Sequence, residues 1–457
     1  MRNDALTYAQ AHQDEALAGL QELIRIPSIS TLPENKADME RAAQWLVNKF
    51  AAIGMENSAI MPTPGHPIVY ADWLHAGADA PTILIYGHYD VQPVDPLDLW
   101  DTPPFEPTVK GDKLYARGAD DNKGQHYTHI AAIESYMKTA GKLPLNIKFM
   151  IEGEEEIGSE NLTDFIANNK ELLKSDAAVI SDTGMIDPQT PVVVSGVRGL
   201  TYMEITLRGS HRDLHSGAYG GVVENPLNAM ARLLAKLHDD DGRVTIPGFY
   251  DKVKELTALE KEQFAQSLTT DERIMKETSA PALWGDKEFN VAERIGCRPT
   301  LDVHGIRGGF IGEGQKTVIT AEATAKVSMR LVPNQNAETI AELFTKYIHD
   351  IAPPTMTTTV TKLSAENGAV IDMTGPAIEA ASKAYEFGFG KAPVFSREGG
   401  SLPIVTNLVE VLDVPVVMMG FGLPDDDIHA PNEKFHLPNF YNGINTAIYF
   451  YDLFAQG

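Results

Sequence analysis

The sequence contains a single cysteine, Cys297, among its 457 residues. One cysteine excludes an intrachain disulfide and a cysteine-rich zinc site, and we expect Cys297 to be an ordinary core residue. Basic residues are also scarce. The chain has 38 Lys and Arg but 63 Asp and Glu, which gives a net charge of −25. A chain this acidic is expected to repel nucleic acids and anionic lipid surfaces, but to tolerate cationic or metal-bound substrates.

Long apolar stretches are absent as well. No run approaches the roughly 18 residues that suggest a membrane span, and the N-terminal segment lacks the apolar region of a signal peptide. We therefore expect a cytoplasmic protein that does not bind membranes. Hydrophobic residues still make up 43% of the chain, which is enough for large cores, and the length suggests two or three domains.

Short apolar runs alternate with helical segments over the first 194 residues. The runs are typical of fully buried strands, and residues 36–53 carry the apolar stripe of an amphipathic helix. This alternation predicts a mainly parallel sheet with helices on both faces. The predicted strands are 83–86, 145–151 and 177–180, and the further helices are 124–139 and 160–173.

The pattern changes near residue 195. Two segments then alternate between apolar and polar residues, which predicts antiparallel strands with one solvent-exposed face, backed by helices. These strands are predicted at 200–208 and 317–331, and the helices at 225–238 and 336–350. The chain finally returns to a fully buried strand at 415–419 and a last helix at 439–454.

This order predicts an α/β domain that contains a smaller inserted domain. The α/β part comprises residues 1–194 and 395–457, and the inserted α+β part comprises residues 195–394. In α/β folds, ligands bind in the loops at the carboxyl ends of the strands. Polar residues directly after the predicted strands are therefore candidates for a functional site.

His88 and Asp90 follow the first of these strands. They are two residues apart on an extended chain, so both side chains can point to the same side. A carboxylate beside a metal-ligating histidine fixes its tautomer and raises its basicity. Taken alone, however, the pair is more typical of an ordinary polar turn.

Acidic residues and a second histidine lie in further turns and loops, several of them after predicted strands. Each has an ordinary explanation, such as a helix cap or a solvated charged face. Closely packed carboxylates nevertheless repel one another unless one is protonated or a cation lies among them. The residues are Asp121 in RGADDNKG, Glu155 and Glu156 in EGEEE, Asp182 in VISDT and His429 in DDDIHAPN.

Together these residues predict a dinuclear metal centre. Two histidines and three or more carboxylates suit two borderline-hard divalent ions, such as Zn²⁺ or Mn²⁺, with one carboxylate bridging them. Two ions about 3.5–4 Å apart polarise a carbonyl and lower the pKa of a shared water, as amide hydrolysis requires. The predicted ligands are His88, Asp121, Glu156, Asp182 and His429, and a neighbouring carboxylate is free to act as general base.

The motifs resemble those of the dinuclear zinc metallopeptidases that include carnosinase, cytosolic nonspecific dipeptidase, bacterial glutamate carboxypeptidase and succinyl-diaminopimelate desuccinylase. The resemblance is greatest to the carnosinase and nonspecific dipeptidase branch, and it spans nearly the whole chain in the family's order. The motifs are GHYDVQPVDPLDLWDTPPFEP (87–107), LYARGADDNKGQ (114–125), EGEEEIGSENL (152–162), DLHSGAYGG (213–221), RPTLDVHGI (298–306), KTVITAEATAKVSMRLVPN (316–334), SREGGSLP (396–403) and HAPNEKF (429–435).

The resemblance implies a role for each position of the metal centre. His88 is similar to the first ligand, Asp90 to the residue that orients it, and Asp121 to the bridging carboxylate. Glu155 is similar to the general base. The remaining implied ligands are Glu156, Asp182 and His429. They would hold two ions per subunit, Zn²⁺ in the first place and Mn²⁺ or Co²⁺ as alternatives.

The resemblance also implies a homodimer formed through the smaller domain. His215 is then similar to a residue that reaches across the dimer to stabilise the tetrahedral oxyanion, and Thr317 to a second contact across it. Arg330 and Ser401 are similar to groups that hold the substrate and its terminal carboxylate, which suits a guanidinium. His429 is expected to contact substrate as well as metal.

Two positions depart from the family pattern. Asp120 adds a charge next to the bridging position, where relatives carry a small or neutral residue, and Glu154 extends the acidic run. Neither change removes a predicted ligand, so an active enzyme remains the expectation.

Three functions are open at this stage. The first is a metallo-dipeptidase that cleaves dipeptides or short peptides with a free C-terminal carboxylate, and the HGI and REGGS stretches favour it. The second is an N-acyl amino acid amidohydrolase of the deacylase or desuccinylase type, with the same metals and base but a different pocket. The third, a catalytically inactive binding or scaffold protein, predicts the loss of a ligand or the base, yet all of them are present.

Overall fold

The computed structural model describes residues 1–256, 258, 261, 264, 269–400 and 402–457. They form two compact units. Unit 1 comprises Met1–Ser195, Ile371–Phe395 and Pro403–Gly457, and unit 2 comprises Gly196–Val370 and Ser396–Leu402. Within the described ranges, none of the helices has the length and apolar character needed to cross a membrane.

The elements are numbered here along the chain. The strands are β1 (Glu56–Met61), β2 (Ile68–Trp73), β3 (Thr82–His88), β4 (Thr108–Lys110), β5 (Lys113–Tyr115), β6 (Asn146–Glu152), β7 (Ala177–Ile180), β8 (Val192–Val197), β9 (Gly199–Arg208), β10 (Leu214–His215), β11 (Thr300–Gly308), β12 (Val318–Ile319), β13 (Glu322–Leu331), β14 (Thr357–Glu366), β15 (Ala369–Val370), β16 (Val394–Glu398), β17 (Val416–Met418) and β18 (Lys434–His436). The α-helices are α1 (Arg2–Ala11), α2 (Gln13–Ile24), α3 (Lys36–Ala52), α4 (Lys123–Ala140), α5 (Leu162–Asn168), α6 (Lys170–Leu173), α7 (Ser216–Tyr219), α8 (Pro226–Leu234), α9 (Asp271–Thr278), α10 (Val291–Cys297), α11 (Ala337–Ile351), α12 (Pro376–Phe389), α13 (Pro403–Asn407) and α14 (Leu437–Phe454). Short 3₁₀ turns lie at Pro33–Asn35, Leu97–Leu99 and Glu155–Ile157, and a π-helical turn at Leu408–Leu412.

Unit 1 contains a six-stranded sheet in the order β1-β2-β6-β3-β7-β17. β6, β3, β7 and β17 run parallel, whereas β2 runs antiparallel to both of its neighbours. Almost every residue of the parallel strands is buried, because apolar side chains point to both faces. α3 packs on β1 and β2, and α4 packs on β3. The predicted α/β class with a mainly parallel sheet is confirmed.

Unit 2 contains a four-stranded antiparallel sheet in the order β11-β13-β9-β14. Buried and half-exposed residues alternate along β9, as the sequence predicts for a strand with one covered face. α8 and α11 pack on this sheet and contribute apolar residues such as Phe344 to its core. Cys297 ends α10 and is buried, as expected of a core thiol.

The border between the units differs from the sequence-based one at residues 371–394. The sequence pattern predicts these residues in the inserted domain, but the structure places them in unit 1. Conversely, Ser396–Leu402 falls in unit 2, although the sequence pattern predicts it in the α/β part. The reason is the apolar face of α12, where residues such as Ala381 and Tyr385 join the core of unit 1, and α12 packs against α14. The predicted strand 317–331 is also divided, because Ala321 leaves the ladder and donates its backbone N–H to Asp213 at 2.9 Å.

Candidate metal centre

His88 lies at the carboxyl end of β3 and is fully buried. Its ring Nδ1 is 3.1 Å from the backbone carbonyl oxygen of Asp90 and 3.4 Å from Asp90 Oδ1. A ring nitrogen that donates its proton to these oxygens leaves the other nitrogen, Nε2, with a free lone pair. The short strand end therefore fixes both the orientation and the tautomer that a metal ligand requires.

The Nε2 atom of His88 faces two carboxylates. It lies 3.2 Å from Asp121 Oδ1 and 3.6 Å from Asp182 Oδ1. It is buried, yet it has no hydrogen-bond partner among the residues that the structure describes. A buried lone pair between two carboxylate oxygens is the donor set of a divalent metal site, so these residues fit a metal ion.

Asp121 also faces a second histidine through its other oxygen. Asp121 Oδ2 lies 2.9 Å from His429 Nε2, which in turn lies 3.2 Å from Glu156 Oε2. The five predicted ligands thus form two groups, each with its ligand atoms within 4.8 Å of one another. One group is His88, Asp121 and Asp182, and the other is Asp121, Glu156 and His429. Asp121 belongs to both, as a bridging carboxylate must.

The electrostatics of this cluster also fit a cation. Burial raises the pKa of Glu156 to about 7, and the charge of Asp121 adds to this effect. Burial likewise raises the pKa of Asp182. Hydrogen bonds to Asp121 and Glu156 raise the pKa of His429 to about 10. Glu156 and His429 therefore hold protons near neutral pH, and a divalent cation would displace those protons.

Glu155 belongs to neither group of candidate ligands. Its backbone lies in the 3₁₀ turn after β6 and donates its N–H to Asp90 Oδ1 at 3.3 Å. Burial raises the pKa of Glu155 well above its ordinary value, and the carboxylates of Asp182 and Glu156 add to the shift. A half-buried carboxyl group beside the ligands, with a raised pKa, has the properties of a general acid and base.

Three supporting residues were not singled out by the sequence analysis. Asn122 donates its side-chain N–H to Asp182 Oδ1 at 2.7 Å, and Gln92 donates to Glu156 Oε2 at 2.7 Å. Ser30 donates its hydroxyl to Asp90 Oδ2 at 2.7 Å. Asn122 and Gln92 lie inside recognised motifs, so position alone could have drawn attention to them. Ser30 lies outside those motifs and carries no such signal.

Asp120 and Glu154, the two departures from the family pattern, contact residues outside the ligand groups. Asp120 is buried against Gly422, where an added Cβ would lie 2.4 Å from Asp120 Oδ2. Glu154 accepts the backbone N–H of His66 and the side-chain N–H of Asn161, both at 2.9 Å. Neither carboxylate is part of the two groups.

Comparison with known proteins now decides the classification. A model of the peptidase family M20/M25/M40 matches residues 84–451. The chain belongs to this peptidase family. Membership confirms the resemblance drawn from the motifs.

Full-length relatives of this M20 peptidase are similar to it along almost their whole chains. The Cys-Gly metallodipeptidase dug1 of Schizosaccharomyces pombe is 34% identical, over 94% of this chain and 94% of the relative. The Beta-Ala-His dipeptidase of Homo sapiens is 30% identical, over 98% of this chain and 92% of the relative. The solved structure of the di-peptidase Dug1p from Saccharomyces cerevisiae is 27% identical, with a TM-score of 0.89, and the match covers 100% of this chain and 99% of that one.

Three further predicted site residues of the M20 peptidase, His215, Thr317 and Arg330, belong to unit 2. His215 is exposed at the end of β10, and its Nδ1 accepts the backbone N–H of Gly217 at 2.9 Å, which leaves Nε2 as the donor. Thr317 lies beside it, since its carbonyl oxygen accepts the backbone N–H of Ser216 at 3.3 Å. The structure thus brings His215 and Thr317 together.

Arg330 lies on β13, in register with Leu200 of β9. Its positive charge lowers the pKa of Glu366, a carboxyl whose pKa is raised by burial. Ser401 lies outside the described residues.

Proposed function

We propose that this M20 peptidase is a metal-dependent dipeptidase that hydrolyses the amide bond of dipeptides or short peptides with a free C-terminal carboxylate. The observation that carries the proposal is Asp121, whose two oxygens face two different histidines in two ligand groups. The full-length relatives are dipeptidases by name, which favours this function over the N-acyl amino acid amidohydrolase.

Each ligand group would hold one divalent ion. His88, Asp121 and Asp182 would bind the first ion, and Asp121, Glu156 and His429 would bind the second. Zn²⁺ is our first expectation, and Mn²⁺ and Co²⁺ are alternatives because they accept the same nitrogen and oxygen donors. When bound, the ions supply Lewis-acid chemistry that polarises the scissile carbonyl.

Glu155 is the general base in this proposal. It accepts a proton from the attacking water and delivers it to the leaving amine. Burial raises its pKa, so its ionised carboxylate is a stronger proton acceptor than that of an exposed glutamate. Asp90 keeps the turn that carries Glu155 in place through the backbone N–H of that residue.

We further propose that unit 1 is the catalytic domain and that unit 2 is a lid and dimerisation domain. β11 supports a homodimer, because it is an edge strand of the described sheet and exposes apolar side chains. Ile306 is 52% exposed and Ile311, just after the strand, is 98% exposed. Unpaired strand edges with apolar side chains are typical docking surfaces for a second copy.

Substrate contacts from unit 2 complete the proposal. The free Nε2–H of His215 suits stabilisation of the developing oxyanion across the dimer, with Thr317 next to it. Arg330 and Ser401 are proposed to hold the terminal carboxylate of the substrate, and His429 to contact substrate as well as metal. The protein is proposed to act in the cytoplasm.

The test compares two substrate classes under controlled metal content. The purified protein is treated with a chelator, dialysed, and assayed with Zn²⁺, Mn²⁺ or Co²⁺ on a dipeptide panel and on N-acetyl and N-succinyl amino acids. Dipeptide hydrolysis that is lost on chelation and restored by metal supports the proposal. Cleavage of the acyl amino acids with intact dipeptides under every metal overturns it in favour of the amidohydrolase.

A further inference from the structure

Glu433 is a fully buried carboxylate that accepts four hydrogen bonds. Its Oε2 accepts from the Arg117 guanidinium at 2.7 Å and from the backbone N–H of Gly118 at 3.0 Å. Its Oε1 accepts from the backbone N–H groups of Asp120 and Asp121, both at 3.1 Å. Each oxygen therefore has two donors, and every one of them lies in the short segment 117–121.

The donors belong to the loop that carries the shared ligand Asp121. Gly118 adopts φ +80, a left-handed conformation that favours glycine, and this turn lets its own N–H and those of Asp120 and Asp121 face one carboxylate. The loop has no sheet ladder over these residues. Its backbone direction, and with it the direction of the Asp121 side chain, depends on the bonds to Glu433.

Glu433 also terminates the loop that carries His429. Non-glycine residues there adopt left-handed conformations, with φ 55 at Asp427, φ 60 at His429 and φ 66 at Asn432. Such conformations persist only where surrounding contacts hold them. The backbone carbonyl of Glu433 accepts the N–H of Ala116 at 3.0 Å, so side chain and main chain of one residue join the two loops.

We propose that Glu433 is a positioning residue that holds the Asp121 loop and the His429 loop in the relative placement that lets one carboxylate serve two metal ions. Glu433 is not a candidate ligand, since it belongs to neither ligand group, and it acts through Asp121. The proposal rests on the dinuclear centre proposed above. It goes beyond that centre by assigning the geometry of the bridge to a carboxylate outside it.

The physical basis is the cost of leaving those donors unpaired. Removing the carboxylate leaves the backbone N–H groups of Gly118, Asp120 and Asp121 without their acceptor, and such a loop relaxes to find other partners. The Arg117 guanidinium keeps its bond to the carbonyl oxygen of Pro93 but loses its charged partner. Relaxation of the loop moves Asp121 relative to His429. Residues that orient metal ligands typically change metal affinity about 10–100-fold when they are replaced.

The test measures metal binding in the full-length protein with Co²⁺ and Zn²⁺ as probes. The proteins are wild type, Glu433→Gln, which keeps the shape, and Glu433→Asp, which keeps the charge but is shorter. Asp72→Asn is the matched control, because Asp72 is a buried carboxylate of unit 1 that accepts from Tyr70 and Asn57, both at 2.9 Å, and is not in either ligand group. The readouts are stoichiometry, affinity by competition with a chromophoric chelator, the Co²⁺ absorption spectrum and the melting temperature.

We expect wild type and Asp72→Asn to bind two ions with the same affinities and spectrum. Glu433→Gln should bind the weaker ion about 10–100-fold less tightly with an altered Co²⁺ spectrum, and Glu433→Asp should lie between. Two ions at unchanged affinity and spectrum in Glu433→Gln would overturn the inference. If that variant does not fold, the same unchanged result in Glu433→Asp overturns it. Fewer than two ions in wild type would instead overturn the proposed metal centre.

Discussion

The side chain of Asp90 accepts the backbone N–H of Glu156 at 3.0 Å. The same carboxylate accepts the backbone N–H of Glu155 and the hydroxyl of Ser30, in addition to lying beside the ring of His88. The sequence motifs predict only that Asp90 orients His88. The structure shows that it also anchors the turn that carries the proposed base and one candidate ligand.

Replacing Asp90 with Asn should therefore weaken metal binding as well as turnover. The amide nitrogen of Asn cannot accept the hydrogen bonds that one carboxylate oxygen now accepts, so His88 and the turn at 155–157 lose a shared anchor. We expect metal affinity and kcat/KM to fall by about 10–100-fold each. Ser30→Ala removes a single bond to the same carboxylate and should have a smaller effect. Unaltered metal affinity in Asp90→Asn would contradict the anchoring role.

Replacing Glu155 with Gln should abolish turnover and spare metal binding. A general base contributes about 10²–10⁴-fold to the rate, and glutamine cannot accept the proton. Because Glu155 lies outside both ligand groups, the number of bound ions should stay at the wild-type value. Glu154→Gln is the control, since that side chain binds Asn161 and the backbone of His66 instead, and it should retain most activity. Substantial dipeptide hydrolysis by Glu155→Gln would refute the assignment of the base.

Replacing Gly124 with Ala should destabilise the protein. A Cβ at this position would lie 1.9 Å from the carbonyl oxygen of Ala119 and 2.7 Å from the ring of Phe435, so the backbone before α4 must shift. Overpacking of this kind typically costs about 1–3 kcal/mol. Thermal unfolding followed by circular dichroism should show a lower melting temperature. Gly305→Ala is the control, because its added methyl meets no atom within 4 Å, and it should leave the melting temperature nearly unchanged. Equal melting temperatures for the two variants would contradict the close contact between Gly124 and Ala119.

The stability of the metal-free protein should depend on Asp426 between pH 5 and pH 8. Burial raises the pKa of this carboxyl to about 7. A carboxyl with a raised folded-state pKa stabilises the fold below its ordinary pKa of about 4, and this contribution is lost as the pH rises through about 7. Asp426→Asn cannot titrate, so its melting temperature relative to wild type should increase from pH 5 to pH 8.

The control for this pH experiment is Asp372→Asn. The pKa of Asp372 is lowered by hydrogen bonds from Thr374, so Asp372 is ionised throughout this pH range in both folded and unfolded chains. The difference in melting temperature between Asp372→Asn and wild type should therefore stay constant from pH 5 to pH 8. Parallel pH curves for wild type and Asp426→Asn, measured in the presence of a chelator, would show that Asp426 does not titrate in this window.

Several candidate ligands could be predicted from the sequence because they follow recognisable strands. His88 and Asp182 come directly after apolar runs that the structure confirms as β3 and β7. Apolar periodicity reports burial, and parallel strands bring their carboxyl ends to one edge of the sheet. The unit to which residues 371–394 belong was harder to predict from the sequence. The apolar face of this segment has the same helical pattern whichever unit covers it.

The contacts that support the candidate ligands leave no comparable pattern in the sequence. Ser30 lies 60 residues before Asp90, and Glu433 lies 312 residues after Asp121. In the second case a side chain accepts hydrogen bonds from backbone N–H groups, which every residue except proline possesses. No periodicity or spacing marks such a partner in advance.

The sequence by itself determined the class of fold, the family and the identity of the candidate ligands, because burial and strand order follow from apolar patterning and local motifs. Tertiary structure alone decided that the two oxygens of Asp121 face different histidines, and that Asp90 and Glu433 hold the loops around them. These relationships depend on ångström-scale distances and hydrogen-bond directions between distant segments, which arise only when the chain packs.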